Sequence, residues 1–118
     1  MSLFDDTQIS LERAMSGANL RQQLLSNNLA NAETPGYQRQ DVDFHGQLAQ
    51  AMQIGDPKAI ESVQFTPQTD NQVMRADGNG VDVDTESADL AKNALEYQSL
   101  VSVSTARIQI LKYAMGNV

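Results

Sequence analysis

Two stretches of this chain repeat apolar residues at helical spacing, and they stand at its two ends. From residue 7 to residue 32, positions three and four apart bring Leu11, Met15, Ala18, Gln22, Leu25, Leu29 and Ala32 onto one stripe. Only Gln22 interrupts it, which marks a helix with one buried face. From 85 to 116 the stripe is Leu90, Ala94, Tyr97, Val101, Ser104, Ile108, Leu111 and Met115, continued by Val118 and broken only by Ser104. The helical rise makes these segments about 39 Å and about 48 Å long. The second has more than one apolar face: Leu100, Val103, Ile110 and Ala114 form another seam about 100° around the cylinder. Gln98, Ser102, Thr105 and Gln109 line a third face that is polar but uncharged. One seam can cover the first helix; the other needs something else.

Between the two helices the pattern breaks. Phe44 to Ile54 predicts a short helix with Leu48, Ala51 and Met52 on one side, stopped by Gly55-Asp56-Pro57. Val63 and Phe65 alternate with polar residues, as do Val81 and Val83. Asp77-Gly78-Asn79-Gly80 is a turn signal between Gln72–Ala76 and Val81–Asp84, and it predicts a β-hairpin there. The expected fold is mainly α. Long N- and C-terminal helices pack antiparallel in a coiled-coil-like pair, and an irregular middle contains a short β-hairpin. Residues 1–34 and 85–118 are the expected assembly core, and 35–84 the middle segment. Gly17 costs its helix about 1 kcal/mol relative to Ala unless close packing uses the missing side chain.

Charge sharpens this picture. The 118 residues carry a net charge of −7, which argues against a nucleic-acid backbone as partner. Twelve of the fifteen acids fall between Glu33 and Glu96. The tracts 14–32 and 97–118 hold only Arg21, Arg107 and Lys112 as charges. Surface helices ordinarily carry many charges on their outer face, so helices that use Ser, Thr, Asn and Gln instead suit surroundings of protein. Such helices owe their stability to burial of an apolar face, and neighbouring subunits are expected to complete their ordering. There is no cysteine, which removes disulfides and thiolate metal sites. The start, Met1-Ser2-Leu3-Phe4-Asp5-Asp6, lacks the basic and apolar regions of a cleaved signal peptide, and no run reaches the length of a membrane span.

No catalytic, cofactor or metal site emerges. Asp82-x-Asp84-x-Glu86 has alternating carboxylates, but Ser87 stands where a calcium loop needs Gly and Asn93 where it needs the closing Glu. Placed at a helix start, those acids complement the helix dipole, as Arg107 and Lys112 do near its end. His45, the single histidine, has no partner evident in sequence. Asp77-Gly78-Asn79-Gly80 lacks the Lys-Ser/Thr of a phosphate loop, and no serine stands in a nucleophile elbow.

The densest signal closes the first helix: Ser26-Asn27-Asn28-Leu29-Ala30-Asn31-Ala32-Glu33-Thr34-Pro35-Gly36-Tyr37. Pro at the second and Gly at the third position predict a type II turn over Thr34–Tyr37, and the residue before Pro resists helix, so the helix should end near Ala32 or Glu33. Tyr37 and Phe44 ordinarily pack back on their own helix; Tyr37 is also a candidate contact to a neighbouring subunit. Asn27, Asn28 and Asn31 either bond the helix end or bridge subunits.

That run resembles the N-terminal signature of the flagellar rod, hook and hook-associated proteins. The closing portion Gly78-Asn79-Gly80-Val81-Asp82-Val83-Asp84-Thr85-Glu86, with Leu90-Ala91-Lys92-Asn93-Ala94-Leu95 and Tyr97-Gln98, is similar to that of the short proximal rod members. Ser87-Ala88 after Glu86, and Glu96-Tyr97-Gln98, separate it from the FlgC type. The chain leaves no room for the long central domains of hook proteins. The resemblance implies a non-enzymatic structural subunit of the bacterial flagellar basal-body rod, exported by the type III apparatus without signal cleavage. It implies assembly with itself, with FlgC-like and FliE-like rod proteins, and with the export gate. Asn28, Leu29, Asn31, Thr34, Pro35, Gly36 and Tyr37 are the assembly signature by resemblance; helical spacing adds Leu25, Leu90, Tyr97, Val101, Ile108 and Leu111. The uncharged third face of the last helix is a candidate lining for a hydrated channel. The alternative is a monomeric acidic helical adaptor or export chaperone that binds an amphipathic partner helix.

Overall fold

The computed structural model describes residues 5–69 and 80–116. Helix α1 (Asp6–Ala30) leads to a two-residue strand β1 (Gln40–Asp41), helix α2 (Phe44–Ile54), a short helix α3 (Pro57–Glu61), strand β2 (Gln68–Thr69) and helix α4 (Val83–Ala114). Each helix is started by an aspartate. Asp5 accepts the Gln8 N–H at 2.9 Å, Asp43 that of Gly46 at 3.1 Å, Asp56 that of Lys58 at 3.0 Å, and Asp82 those of Asp84 and Thr85 at 3.0 and 3.2 Å. Each bond satisfies backbone donors that a helix N-terminus leaves open. Pro57 stands in the first turn of α3, where its missing N–H costs nothing.

The short helix 44–54 lies where its pattern predicts, and Gly55 ends it at φ 76°, the left-handed C-terminal stop that suits glycine. Helix α1 stops at Ala30 rather than near Ala32 or Glu33. The Asn31 N–H is shared between the Asn27 and Asn28 carbonyls and the Ala32 N–H reaches only to Leu29, which tightens the last turn. The middle does hold a short antiparallel strand pair, but its strands are β1 and β2, with Gln40 opposite Thr69 and Asp41 opposite Gln68. The expected hairpin arm 81–84 is instead the cap and first turn of α4, because Asp82 turns its carboxylate onto the backbone ahead of it. The other arm, 72–76, and the turn at 77–79 lie outside the described residues.

Helix α1 is the centre of the fold. Helices α2 and α3 pack on one side of it, and α4 runs antiparallel along another, pairing Glu86 with Asn28 at one end and Ser104 with Gln8 at the other. The apolar core gathers Ile9, Leu48 and Ile60, flanked by Ala14, Val63 and Phe65. Phe44, at 1% exposure, lies over Gly17, and burying such a ring is worth roughly 1.5–3 kcal/mol. Being covered on two sides, α1 buries more than the single stripe expected of it. Ala18, Leu25 and Ala32 are buried as the stripe requires, but so are Gln8, Ile9, Gly17, Leu24 and Asn28.

Helix α4 departs further from its pattern. Its fully buried residues are Glu86, Asn93 and Ser104. Of the expected apolar stripe, Leu90, Ala94 and Leu111 are half-buried, while Tyr97, Val101, Ile108 and Met115 are exposed. The deepest residues of α4 are thus polar, and its large apolar residues are half-buried or exposed. The body is long, with principal extents of 61 × 30 × 14 Å and a radius of gyration of 17.7 Å, against about 13.5 Å for a compact domain of this length.

Candidate assembly interface

The turn after α1 forms as its sequence dictates. Gly36 has φ 77° and the Tyr37 N–H bonds the Thr34 carbonyl at 3.2 Å. The Thr34 N–H and hydroxyl both reach Asn31, at 2.9 and 3.2 Å, and the Asn31 amide bonds the Asn27 carbonyl at 2.8 Å. Asn31 thus closes the helix and starts the turn. The turn folds Tyr37 back, and its hydroxyl donates to Asn28 Oδ1 at 3.0 Å. Burial, and then the nearby Glu86 charge, raise the Tyr37 phenol above its usual range.

Asn28 is the hub of this corner. Fully buried, its Oδ1 also accepts the Gln40 N–H at 3.0 Å, while its Nδ2 donates to the Gln40 carbonyl at 2.7 Å and to Glu86 Oε2 at 3.3 Å. All four hydrogen-bonding positions of the amide are used. Glu86, equally buried, receives the Arg39 guanidinium on its other oxygen. Arg39 also bonds Asp41 at 3.0 Å and lies 3.8 Å from Asp89, and Arg21 grips the same Asp41 through two bonds of 2.9 and 3.2 Å. Burial pushes the Asp41 carboxyl up, but the Arg21 bonds, the Val42 N–H and Arg39 outweigh it and hold the group below the ordinary carboxylate range. Burial opposes the Arg39 charge as well; Glu86 and Asp41 overcome it and raise the guanidinium beyond its usual value. The acids at the start of α4 therefore do more than complement a dipole, since Glu86 joins the last helix to the signature turn.

His45 does have partners: its ring stacks on Phe44 at 4.0 Å and its Nε2 meets Glu96. Among the described residues, no group of His, Asp and Glu is gathered as metal ligands, and no helix is long and apolar enough to cross a membrane.

The expected site residues separate into two sets. Leu25 and Asn28 are fully buried inside the single chain, Asn28 as the hub of the corner. Leu29, Asn31 and Tyr37 are half-buried around it, and Thr34, Pro35 and Gly36 are exposed at the turn. On α4, Leu90 and Leu111 are half-buried, whereas Tyr97, Val101 and Ile108 face outward. Sequence reasoning missed Arg39, Glu86, Asn93 and Gln8 as structural anchors. The available signal was the line Glu86, Asn93, Ser104, which repeats at helical spacing but reads as surface because it is polar.

The outward surface of α4 is the larger feature. Leu95, Val103 and Ile110 are 64%, 50% and 65% exposed, and Tyr113 and Met115 follow them. Between α1 and α4 runs a groove of about 280 Å³ lined by Ala18, Asn19, Gln22, Ala94, Tyr97 and Gln98, with no charge among them. Exposed apolar patches of this kind mark sites of interaction with other molecules.

Residues 10–38 match the family described as flagella basal body rod protein. The chain is 36% identical over 124 residues to the flagellar basal body rod protein FlgB of Bacillus subtilis strain 168, with 95% of each chain covered. It is 33% identical over 128 residues to FlgB of Escherichia coli K12, covering 91% of this chain and 93% of that one. FlgB of Cereibacter sphaeroides is 32% identical over 105 residues, covering 80% and 82%. These relatives favour a rod subunit over a solitary adaptor.

Proposed function

The chain belongs to the FlgB family of flagellar basal body rod proteins and is a structural subunit of the proximal rod, and from that premise we propose that it joins the rod through the uncovered apolar face of α4. The observation that carries this reading is the exposure of Leu95, Val103 and Ile110 on a helix whose buried line is polar. Neighbouring subunits bury that face, and the exposed turn at Thr34–Gly36 touches them at the corner that Asn28 holds. Tyr97, which lines the α1–α4 groove, and the exposed Val101 and Ile108 extend the contact. Other rod proteins of the FlgC and FliE types and the export gate are the neighbours, reached by type III export without a cleaved signal. Gln98, Ser102, Thr105 and Gln109, all exposed, suit a hydrated channel wall, since uncharged groups neither bind nor repel a passing chain strongly.

The test is Ile110→Asp in a strain whose own copy of this gene is removed. Residue 110 is largely exposed in the single chain, so the variant keeps its helicity and its export, while rods and swimming are lost. Normal motility with Asp at 110 overturns the reading.

A further inference from the structure

We propose that a ladder of buried polar side chains, rather than apolar packing, sets the register of the α1–α4 pair and so decides which face of α4 points outward. The first rung joins Asn28 Nδ2 to Glu86 Oε2 at 3.3 Å. In the second, Asn93 Nδ2 donates to the Ala18 carbonyl and to Gln22 Oε1, both at 2.8 Å. The third joins Gln8 Nε2 to Ser104 Oγ at 2.8 Å. Beyond it Arg107 grips Asp5 at 2.8 and 2.9 Å. As the position falls along α1 it rises in step along α4, so every rung belongs to one antiparallel register. Gln8, Asn28, Glu86 and Asn93 are no more than 1% exposed, and Ser104 is 6% exposed.

On α4 the rungs form one line. Glu86 and Ser104 are separated by about five full turns, and Asn93 falls about 20° from the same line. The leucines beside that line, Leu90 and Leu100, are only half-buried. In an apolar seam, a slip of one heptad sets leucine against leucine again and costs little. Here the same slip, about 10 Å along the axis, removes the partner from each buried polar group, and an orphaned group inside a protein pays its full desolvation. A single buried Asn fixes coiled-coil register by this means. Chain connectivity does not do so in its place, because residues 70–82 can span about 40 Å when extended. Asn93 also keeps an unpaired buried Oδ1 among the described residues. That makes it a poor choice for stability, but it does not weaken a device that works by penalising wrong pairings. The register concerns the single chain before any neighbour arrives, so it stands apart from the rod reading.

The full chain has no cysteine, so Gln23→Cys and Ala91→Cys, both exposed positions, accept spin labels that report the α1–α4 distance by pulsed electron resonance. The parent gives one narrow distance. A variant with Gln8→Met, Glu86→Met, Asn93→Leu and Ser104→Ala retains the parent's helicity. Its distance splits or broadens, with a component displaced by about 10 Å. Leu25→Ala, which removes apolar burial and leaves the ladder, lowers the midpoint and keeps the single distance. An unchanged narrow distance in the ladderless variant overturns the proposal, because apolar packing then sets the register. Loss of helicity in that variant overturns it too, since the ladder would then supply stability instead of register. A broad distance in the parent or in Leu25→Ala has the same consequence. All readouts are on the purified chain, so failure to build rods leaves them unaffected.

Discussion

Gly17 and Phe44 touch so closely that a Cβ placed at residue 17 would lie 2.6 Å from both Cβ and Cγ of the ring. The helix therefore gives up propensity at this position to let the first turn of α2 lie against it. In an open helix Gly17→Ala would gain about 1 kcal/mol. Here overpacking outweighs that gain, and the variant is destabilised by about 1–2 kcal/mol. Urea unfolding followed by circular dichroism measures the difference, and a stabilised variant would contradict the contact.

Asn28→Ala removes an amide that uses all four of its hydrogen-bonding positions. Gln40, Glu86 and the Tyr37 hydroxyl lose a partner in a corner that water does not reach freely. The expected loss is about 2–4 kcal/mol. Tyr37→Phe, which removes one of the four bonds, costs about 0.5–1.5 kcal/mol. The ratio of the two, read from denaturant midpoints at equal slope, checks the role of Asn28 as hub.

Gly36→Ala tests the backbone alone. No atom lies within 4 Å of the added methyl, but φ is +77°. The expected cost is about 1–2 kcal/mol, with helicity retained. An unchanged midpoint would mean that the turn relaxes without strain.

The pairing of Asp41 with Arg21 and Arg39 makes stability depend on acid. Its folded carboxyl titrates below the ordinary value of 3.8, so the unfolded chain takes up the proton first. The contribution is complete above 3.8 and is lost as pH falls below 3.8 through the folded value. Thermal midpoints of the parent should drop over that interval more steeply than those of Asp41→Asn. Parallel pH profiles would show that Asp41 carries no such linkage.

The helices were legible because apolar spacing and capping act over a few residues. Phe44–Ile54 could be read from its periodicity and its Gly55 stop, and the Thr34–Tyr37 turn from Pro35 and Gly36. The strand pair was not: β1 and β2 are two residues each, too short for alternation to register, and the turn signal at Asp77–Gly80 pointed to an arm at 81–84 that begins α4 instead. The buried polar line of α4 was illegible for another reason. Gln8, Asn93 and Ser104 are surface residues by composition and become interior only when two helices, far apart in sequence, meet in one register.

By itself, then, the sequence determined two long charge-poor helices, a sharp turn between the first of them and the middle, and a place among flagellar rod proteins. These follow from local backbone preferences and from residues contiguous in the chain. Only the tertiary structure decided that Asn28 and Leu25 are internal, that Glu86 ties α4 to the Asn28 corner, and that α4 leaves Leu95, Val103 and Ile110 exposed. Such choices depend on which side of a helix finds a partner, and periodicity gives the faces of a helix without saying which of them will be covered.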